Sequence, residues 1–545
     1  MFTQKRKSLV IASLLTMSLV ATACGSSGPA TSSNTPTASP SATATAATTK
    51  AASEENLEVS VGFWDVDKAL ANRGSDDMLT KMEKDFNITF KPYTYSWSDY
   101  SEKLKLWGAS GELPDIFSTD MVGSSTYNQW IEQELIRPLP DDLSAYPNVQ
   151  KLMQRPDVKA LQKNGSFYML PRSSGPSTDA WLFDRAILVR KDWMDKLGIK
   201  EPKSFQEYEA MFKSFAEKDP DGNGKKDTVG LTVKLPGFID TLFLGSNPAY
   251  MNGAWVNEDG KWLPSVASKT MIDGVSQLKQ LYVDGALDPD FSILKNLDGW
   301  EKFAQGKAGA IASQVTPNAL NDIKKLWEKY EHDKSFEDSI AILPVWTDKD
   351  GNAYRFTGAA FWSESYFSAK VDDAKMDRIL KLYDYLLSDD GRKLVDYGFE
   401  GKDFKMDGTN LVVTLGKDEK TGGNKALGDI YPSTGLFGSL ASWYDSFNAP
   451  LSVQIEQFGE KIVMISNEKK DEWLKSLKPI PTNYDVMFLS TPAKDKISAI
   501  PFNDDIIKVI LSKGDVQVDW NKVIEDYNSK GLQTAIDEVN AQMNK

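Results

Sequence analysis

The chain has 545 residues, 41% of them hydrophobic and 26% charged, proportions ordinary for a water-soluble globular protein. Its formal net charge is −14, and the leader described below holds three cations and no anion, so the rest of the chain stands at −17; that balance argues against a grip on nucleic acid, which needs cations against phosphates. One cysteine allows no intramolecular disulfide, and one histidine, His332 in a polar run, excludes a His-rich zinc or iron site and weakens any case for a Ser-His-Asp triad.

The N-terminus reads as an export signal. Lys5-Arg6-Lys7 is a basic region, Leu9 to Val20 an apolar one, and Ala21-Thr22-Ala23 a small-residue cleavage site. The apolar run is well short of the roughly 20 residues that span a bilayer. Cys24 follows the cleavage site directly, the arrangement of a bacterial lipoprotein signal, with Ala21 where such signals more often carry Leu. Its thiol is the expected lipid attachment, taking a diacylglycerol, and its freed amine is open to further acylation (palmitate, for example). A structural cysteine would leave the basic and apolar residues upstream unexplained. From Gly25 to about Asn56 the chain is almost entirely Ser, Thr, Ala, Pro and Gly without an aromatic residue. Such a segment cannot bury enough apolar surface to offset its chain entropy and is expected to be disordered. The organisation is therefore a signal peptide at 1–23, a linker at 24–56 and a folded body at 57–545. No later run of 18 apolar residues occurs, so the protein is expected to be tethered to the cell membrane on its extracellular face.

In the folded part, Leu57 to Phe63 alternates as a strand does and ends at Trp64-Asp65. A helix is expected through Met78, Leu79 and Met82, a strand at Asn87–Phe90, a helix at Lys103–Trp107 and a strand from Leu113 to Phe117, reaching Asp120. Strands alternating with helices imply an α/β fold of βαβ units with a largely parallel sheet. Ligands of such sheets lie beyond the carboxyl ends of the strands, where Trp64, Asp65, Ser118, Thr119 and Asp120 fall. The plainer reading is that Trp64 caps the core and Asp120 starts a helix.

Gly165 to Arg172 reads as an aromatic strand, Trp181 to Arg190 as another, and Lys191 to Leu197 as a helix closed by Gly198. Ser204 and Glu207 form a capping box for the next helix. Asp219-Pro-Asp-Gly-Asn-Gly-Lys-Lys-Asp227 has the spacing of a calcium loop. Asp219, Asp221, Asn223 and Asp227 offer side-chain oxygens at alternate positions, and Lys225 its carbonyl. Position 12 is Gly230, so the bidentate Glu of a full EF-hand is missing, and Thr228 offers an oxygen at most. A turn without metal is the plainer alternative. Further on, a helix end near Phe303 passes into a strand at Gly306–Ile311. Two strands are expected at Ile340–Val345 and Tyr354–Trp362, a long helix at Lys375–Asp396, and helix again from Val518 to the end.

Several of these stretches resemble one family. The lipoprotein signal and linker, Gly111-Glu-Leu-Pro-Asp-Ile116, Val189-Arg-Lys-Asp-Trp193, Asp219 to Asp227 and Leu386 to Gly401 are similar to segments of family 1 extracellular solute-binding proteins, the receptors of bacterial ABC importers. The likeness spans nearly all of 57–545 and is greatest to large Gram-positive lipoproteins resembling oligosaccharide and alginate receptors. That group carries the calcium-type loop and often has Glu where this chain has Thr228. The resemblance implies a two-lobed periplasmic-binding-protein-like fold, each lobe a mainly parallel sheet flanked by helices, closing over its ligand about a hinge. Lobe 1 is placed at roughly 57–178 plus a segment around 346–400, lobe 2 at roughly 182–345 plus the C-terminal helical part. Chain crossings are expected near Ser174–Trp181 and Val345–Trp362.

Fifteen Trp, 19 Tyr and 25 Phe, several in loops, suit sugar rings, whose C–H faces stack on aromatics while carboxylates and amides hydrogen-bond the hydroxyls. Candidate contacts are Trp64, Asp65, Asp120, Tyr168, Arg172, Trp181, Trp362, Trp443 and Tyr444. The resulting expectation is a monomeric, non-enzymatic receptor that delivers an oligosaccharide to a permease. A peptide receptor and a tethered glycosidase working through two carboxylates are the alternatives.

Overall fold

The alternating run at the start of the body becomes strand β1 (Leu57–Trp64). The computed structural model describes residues 55–545 apart from 97, 98, 176–184, 252–254, 296, 332, 418–424, 443–448 and 481. The signal, Cys24 and nearly all of the linker lie outside the described residues. After β1 come β2 (Ile88–Tyr95), β3 (Ile116–Thr119), β4 (Met169–Ser173), β5 (Ala186–Arg190), β6 (Val229–Val233), β7 (Trp255–Glu258) and β8 (Lys261–Pro264). They are followed by β9 (Ala308–Ser313), β10 (Ile340–Leu343), β11 (Tyr354–Arg355), β12 (Phe361–Phe367), β13 (Phe404–Asp407), β14 (Asn410–Val413) and β15 (Lys478–Pro479).

Two sheets organise two lobes. The first has the order β2-β1-β3-β12-β4 and the second β10-β5-β9-β6. Each has its own apolar core: Val61, Phe117, Tyr366 and Leu382 belong to the first, Val189, Phe212, Leu231 and Leu278 to the second. In each sheet most strands run in one sense, as expected, and one strand runs against them. β1 is parallel to β2 and β3, but β12 is antiparallel to both β3 and β4. In the second sheet β6 is parallel to β9, while β5 is antiparallel to β9 and β10. The reason is topological. β12 and β5 are entered from the other lobe and not through a helical crossover from a neighbouring strand, so nothing imposes the parallel sense.

Local signals account for much of the rest. The helix Phe205–Glu217 carries the capping box of Ser204 and Glu207 and buries Tyr208, Met211, Phe212 and Phe215 along one stripe. Gly198 closes Lys191–Leu197 at φ 68°. The expected helix Lys375–Asp396 is two helices, Asp373–Leu387 and Asp389–Tyr397, broken where Ser388 turns to ψ 160° and caps the second one. Gly391 sits in that bend because a Cβ there would lie 1.8 Å from the Tyr385 carbonyl oxygen. The expected strand Tyr354–Trp362 also divides. Tyr354–Arg355 pairs with Lys478–Pro479, and the strand of the main sheet is β12. Six of the seven β12 residues are buried, so the alternation that marks a half-exposed strand is absent. No helix among the described residues is long and apolar enough to cross a membrane.

The register brings particular chain ends together. Phe361 pairs with Ser173, Glu364 with Thr119, and Trp64 with Tyr95, so these residues mark one edge of the first sheet. At the second sheet Ala186 pairs with Ser313, Leu343 with Ile187, and Val233 with Ala312, marking one edge there. The chain leaves the first edge after Ser173 to enter the second at Ala186, and returns from Leu343 to Phe361. A third passage starts at Ser442, which bridges to Ser173.

Candidate functional site

At the carboxyl end of β1, Trp64 and Trp362 stack with ring centroids 5.7 Å apart and planes 25° apart. Tyr95 and Tyr100 meet Trp64 edge-on, each at 5.5 Å. The Tyr95 hydroxyl donates to the Gly62 carbonyl at 2.9 Å and also bonds the Ser118 carbonyl, tying β1 to β3 beneath the rings. Trp362 owes its direction to a bulge. Three steps along β12, from Phe361 to Glu364, match two along β4, from Ser173 to Pro171. Ser363 takes up the surplus at φ 56°, a strained angle for a residue with a Cβ.

Arg172 lies underneath. Its guanidinium carbon is 4.9 Å from the Phe63 ring centroid, 5.4 Å from that of Trp64 and 5.6 Å from that of Trp362. It donates to the Ser439 carbonyl at 2.6 Å and to Ser363 Oγ at 2.5 Å. At 3% exposure it supports the rings and holds the bulge from below, and burial pushes its pKa down to about 10. Glu364 is buried beside it and accepts from the Tyr366 hydroxyl at 2.6 Å and from the Met121 and Val122 amides at 3.1 and 3.4 Å. Burial outweighs these bonds and raises its pKa to about 7. Two exposed carboxylates border the rings. Asp65, at φ 54°, pairs with Lys68 at 3.1 Å, and Asp120 accepts from the Tyr100 hydroxyl at 3.0 Å. A cleft of about 210 Å³ opens there between Tyr100, Leu104, Asp120, Ser124 and Trp130.

The edge of the second sheet is built differently. Arg185 precedes β5, Lys234 follows β6 and Gln314 follows β9. Arg185 lies 4.3 Å over the Phe238 ring and bonds Asp240 at 2.6 Å. Lys234 is 4.2 Å from the Trp300 ring centroid and donates to Gln314 Oε1 at 2.5 Å. A larger cavity, about 540 Å³, lies in the second lobe between 245–277 and 348–354, but among the described residues Tyr354 is its only aromatic lining residue.

Of the expected contacts, the structure brings Trp64, Asp65, Asp120, Arg172 and Trp362 to one place. Tyr168 is elsewhere. It precedes Met169, which pairs with Tyr366 at the opposite end of β4, because Asn164 and Gly165, at φ 54° and 83°, make a tight turn that starts the strand later than expected. Trp181, Trp443 and Tyr444 lie outside the described residues. Tyr95, Tyr100, Glu364 and the Arg185–Phe238 pair escaped sequence reasoning, since nothing local marks which end of a strand or helix they occupy.

In the loop 219–227, Asn223 Nδ2 donates to Asp221 Oδ2 at 2.6 Å and to Asp227 Oδ1 at 3.0 Å, while Gly224 donates to Asp219 Oδ2 at 3.0 Å. Gly222 and Gly224, at φ 78° and 77°, allow the curl. Burial and contact with the Asp219 carboxylate hold the Asp221 pKa above the ordinary carboxylate range. Asp219 Oδ1 is buried without a hydrogen bond. Among the described residues no three His, Cys, Asp or Glu side chains form a metal cluster, because here the aspartates gather on the Asn223 amide. Thr228 is turned away, donating to the Phe215 carbonyl at 2.7 Å. Position 12 cannot carry a side chain, since a Cβ on Gly230 would meet the Phe212 carbonyl oxygen at 2.3 Å.

The polygalacturonan/rhamnogalacturonan-binding protein YtcQ of Bacillus subtilis (strain 168) is 26% identical to this chain over 481 residues, 85% of this chain and 86% of the relative. Lipoprotein LipO of the same organism is 25% identical over 349 residues, 62% of this chain and 65% of the relative. Among solved structures, the alginate-binding protein AlgQ2 without calcium ion superposes with a TM-score of 0.66 at 15% identity, covering 90% of this chain and 99% of that one. Residues 65–393 match the bacterial extracellular solute-binding protein family. The chain, with two sheets joined at their edges and an aromatic platform at the junction, belongs to that family.

Proposed function

We propose that the protein is the extracellular, lipid-anchored receptor of an ABC importer and that it captures an oligosaccharide between its lobes. The observation that carries this reading is the stacked Trp64–Trp362 pair, bordered by Asp65 and Asp120, at the edge where the chain passes between lobes. Aromatic faces with flanking carboxylates suit a pyranose, and a ligand touching both edges favours the closed form that a permease engages. The binding of pectic polysaccharide by YtcQ supports a carbohydrate over a peptide. Attachment through Cys24 is supported by the signal that precedes it and by the likeness to LipO. Titration with polygalacturonate and rhamnogalacturonan oligomers should quench tryptophan fluorescence and raise Tm, with the glycan recovered intact. If a broad oligosaccharide panel produced neither change, the reading would fail; cleavage products would replace it with a glycosidase.

A structural Ca2+ belongs to the same proposal. The side chains of Asp219, Asp221, Asn223 and Asp227 and the Lys225 carbonyl would hold it, all hard oxygen donors. Crowded carboxylates and the orphaned Asp219 Oδ1 fit such a cation. It would neutralise the loop charge and stiffen the turn, far from any bound sugar. EDTA should lower Tm and calcium restore it; an unchanged Tm would leave the loop a simple turn.

A further inference from the structure

Arg155 stands at the start of the one-turn helix Pro156–Lys159, outside the aromatic platform, yet every N–H of its guanidinium is used. Nε donates to Asp157 Oδ1 at 3.0 Å, and Nη2 completes a two-point pair with Asp157 Oδ2. Nη1 donates to Ser173 Oγ at 2.9 Å and to the Gly175 carbonyl at 3.2 Å, while Nη2 reaches the Ala360 carbonyl at 2.9 Å. Asp157, fully buried, accepts the Ala360 amide at 2.8 Å. Ser173 to Gly175 is where the chain leaves the first sheet, and Ala360 is where it comes back. The two segments also bond each other, Ser174 amide to Ala360 carbonyl at 3.0 Å, and the third passage joins them through Ser173 amide to Ala441 carbonyl at 3.2 Å.

We propose that Arg155 and Asp157 are the positioning residues of the hinge: they bolt the outgoing and returning connections together at the first lobe, so that this end stays fixed while the lobes open and close. The inference rests on the receptor reading only for the purpose of closure; the clamp itself is a property of the chain without ligand. A planar, five-donor fork suits this site, because an ammonium group has only three donors for the five bonds made here. Loosening the fork adds conformations to the open form that closure must then surrender, which weakens binding without removing any contact to the ligand.

The test uses the full chain with Cys24→Ser, spin-labelled through Glu102→Cys in the first lobe and Lys325→Cys in the second, both exposed in this structure. Without any sugar, Arg155→Lys should broaden the interlobe distance distribution. Arg190→Lys is the control, since Arg190 is even more enclosed than Arg155, 4.7 and 4.4 Å from the Trp193 and Trp327 ring centroids in the second lobe, but touches no connection. It should lower Tm and leave the distribution as in the parent. If Arg155→Lys failed to fold, Ser173→Ala would remove one acceptor and keep the ion pair, with a smaller broadening expected. An unchanged distribution in the foldable clamp variant, or equal broadening in the control, would overturn the proposal. With a sugar that binds the parent, Arg155→Lys should weaken affinity by about tenfold. A parent that binds no sugar would undo the receptor reading and leave the sugar-free comparison standing.

Discussion

At the edge of the first sheet two indoles lie 5.7 Å apart over a buried guanidinium, whereas at the edge joined to it in the second sheet Arg185 and Lys234 share the Phe238 ring, Lys234 also lies over Trp300, and both cations remain partly exposed. The first arrangement is over-determined. A bulge, a left-handed Ser363, hydrogen bonds from Arg172 and two edge-on tyrosines all fix the same pair of rings. The second has partly exposed charged side chains, held by Asp240 and Gln314, whose bonds a ligand would compete for. A receptor that closes needs both kinds of surface: one lobe that presents a finished platform, and another whose contacts form on arrival.

The largest expected effect lies on the rigid side. Trp64 is 6% exposed and packs on four aromatic rings among the described residues, so Trp64→Ala should destabilise the protein by about 4 kcal/mol, read from denaturant unfolding. Trp362→Ala, at a half-buried position, should spare more of the stability and cost about 2 kcal/mol in ligand binding by calorimetry, roughly thirtyfold in Kd. Equal losses of binding from Trp362→Ala and Phe238→Ala would erase the distinction between the two edges.

Glu364 offers the next test. Its pKa in the fold is about 7, against an unfolded value of 4.5. Between those values the folded protein keeps a proton that the unfolded chain has released, so stability should fall as pH rises from about 4.5 to about 7 and level off above. The full effect is about 3 kcal/mol. Glu364→Gln keeps acceptors for the Met121 and Val122 amides and should flatten this part of the pH profile. A variant whose unfolding free energy follows the parent's pH dependence would show that another group carries it.

What could be read in advance follows from where each signal resides. Trp64 and Asp65 were legible because an alternating strand stops there and open sheets place ligands beyond such stops. β12 was not, because burial on both faces erases alternation, and its bulge depends on a register set by β3 and β4, which are distant in sequence. Arg172 was placed at the site by its neighbours, but its role beneath the rings depends on Ser363 and Ser439, far along the chain. Arg155-Pro156-Asp157 reads locally as a helix start; its bonds reach Ser173, Gly175 and Ala360 only through the tertiary fold. The loop 219–227 is the opposite case, since its curl is set by Gly222 and Gly224 and by hydrogen bonds that all fall within nine residues.

The smallest expected effect is on the adaptable edge. Lys234→Met keeps the aliphatic stem against Trp300 and removes the charge, so it should cost about 0.5–1 kcal/mol of ligand binding and little in Tm. An ammonium group that is partly solvated acts through a screened field, so the difference between Lys234→Met and the parent should shrink as salt rises from 0.01 to about 1 M. The loss from Trp362→Ala, which comes from ring contact, should not change with salt. A salt-sensitive loss at one edge and a salt-insensitive loss at the other would show that one lobe binds by charge and the other by shape. If both losses varied together with ionic strength, the aromatic pair would be acting through its buried guanidinium, and the two edges would form a single electrostatic site.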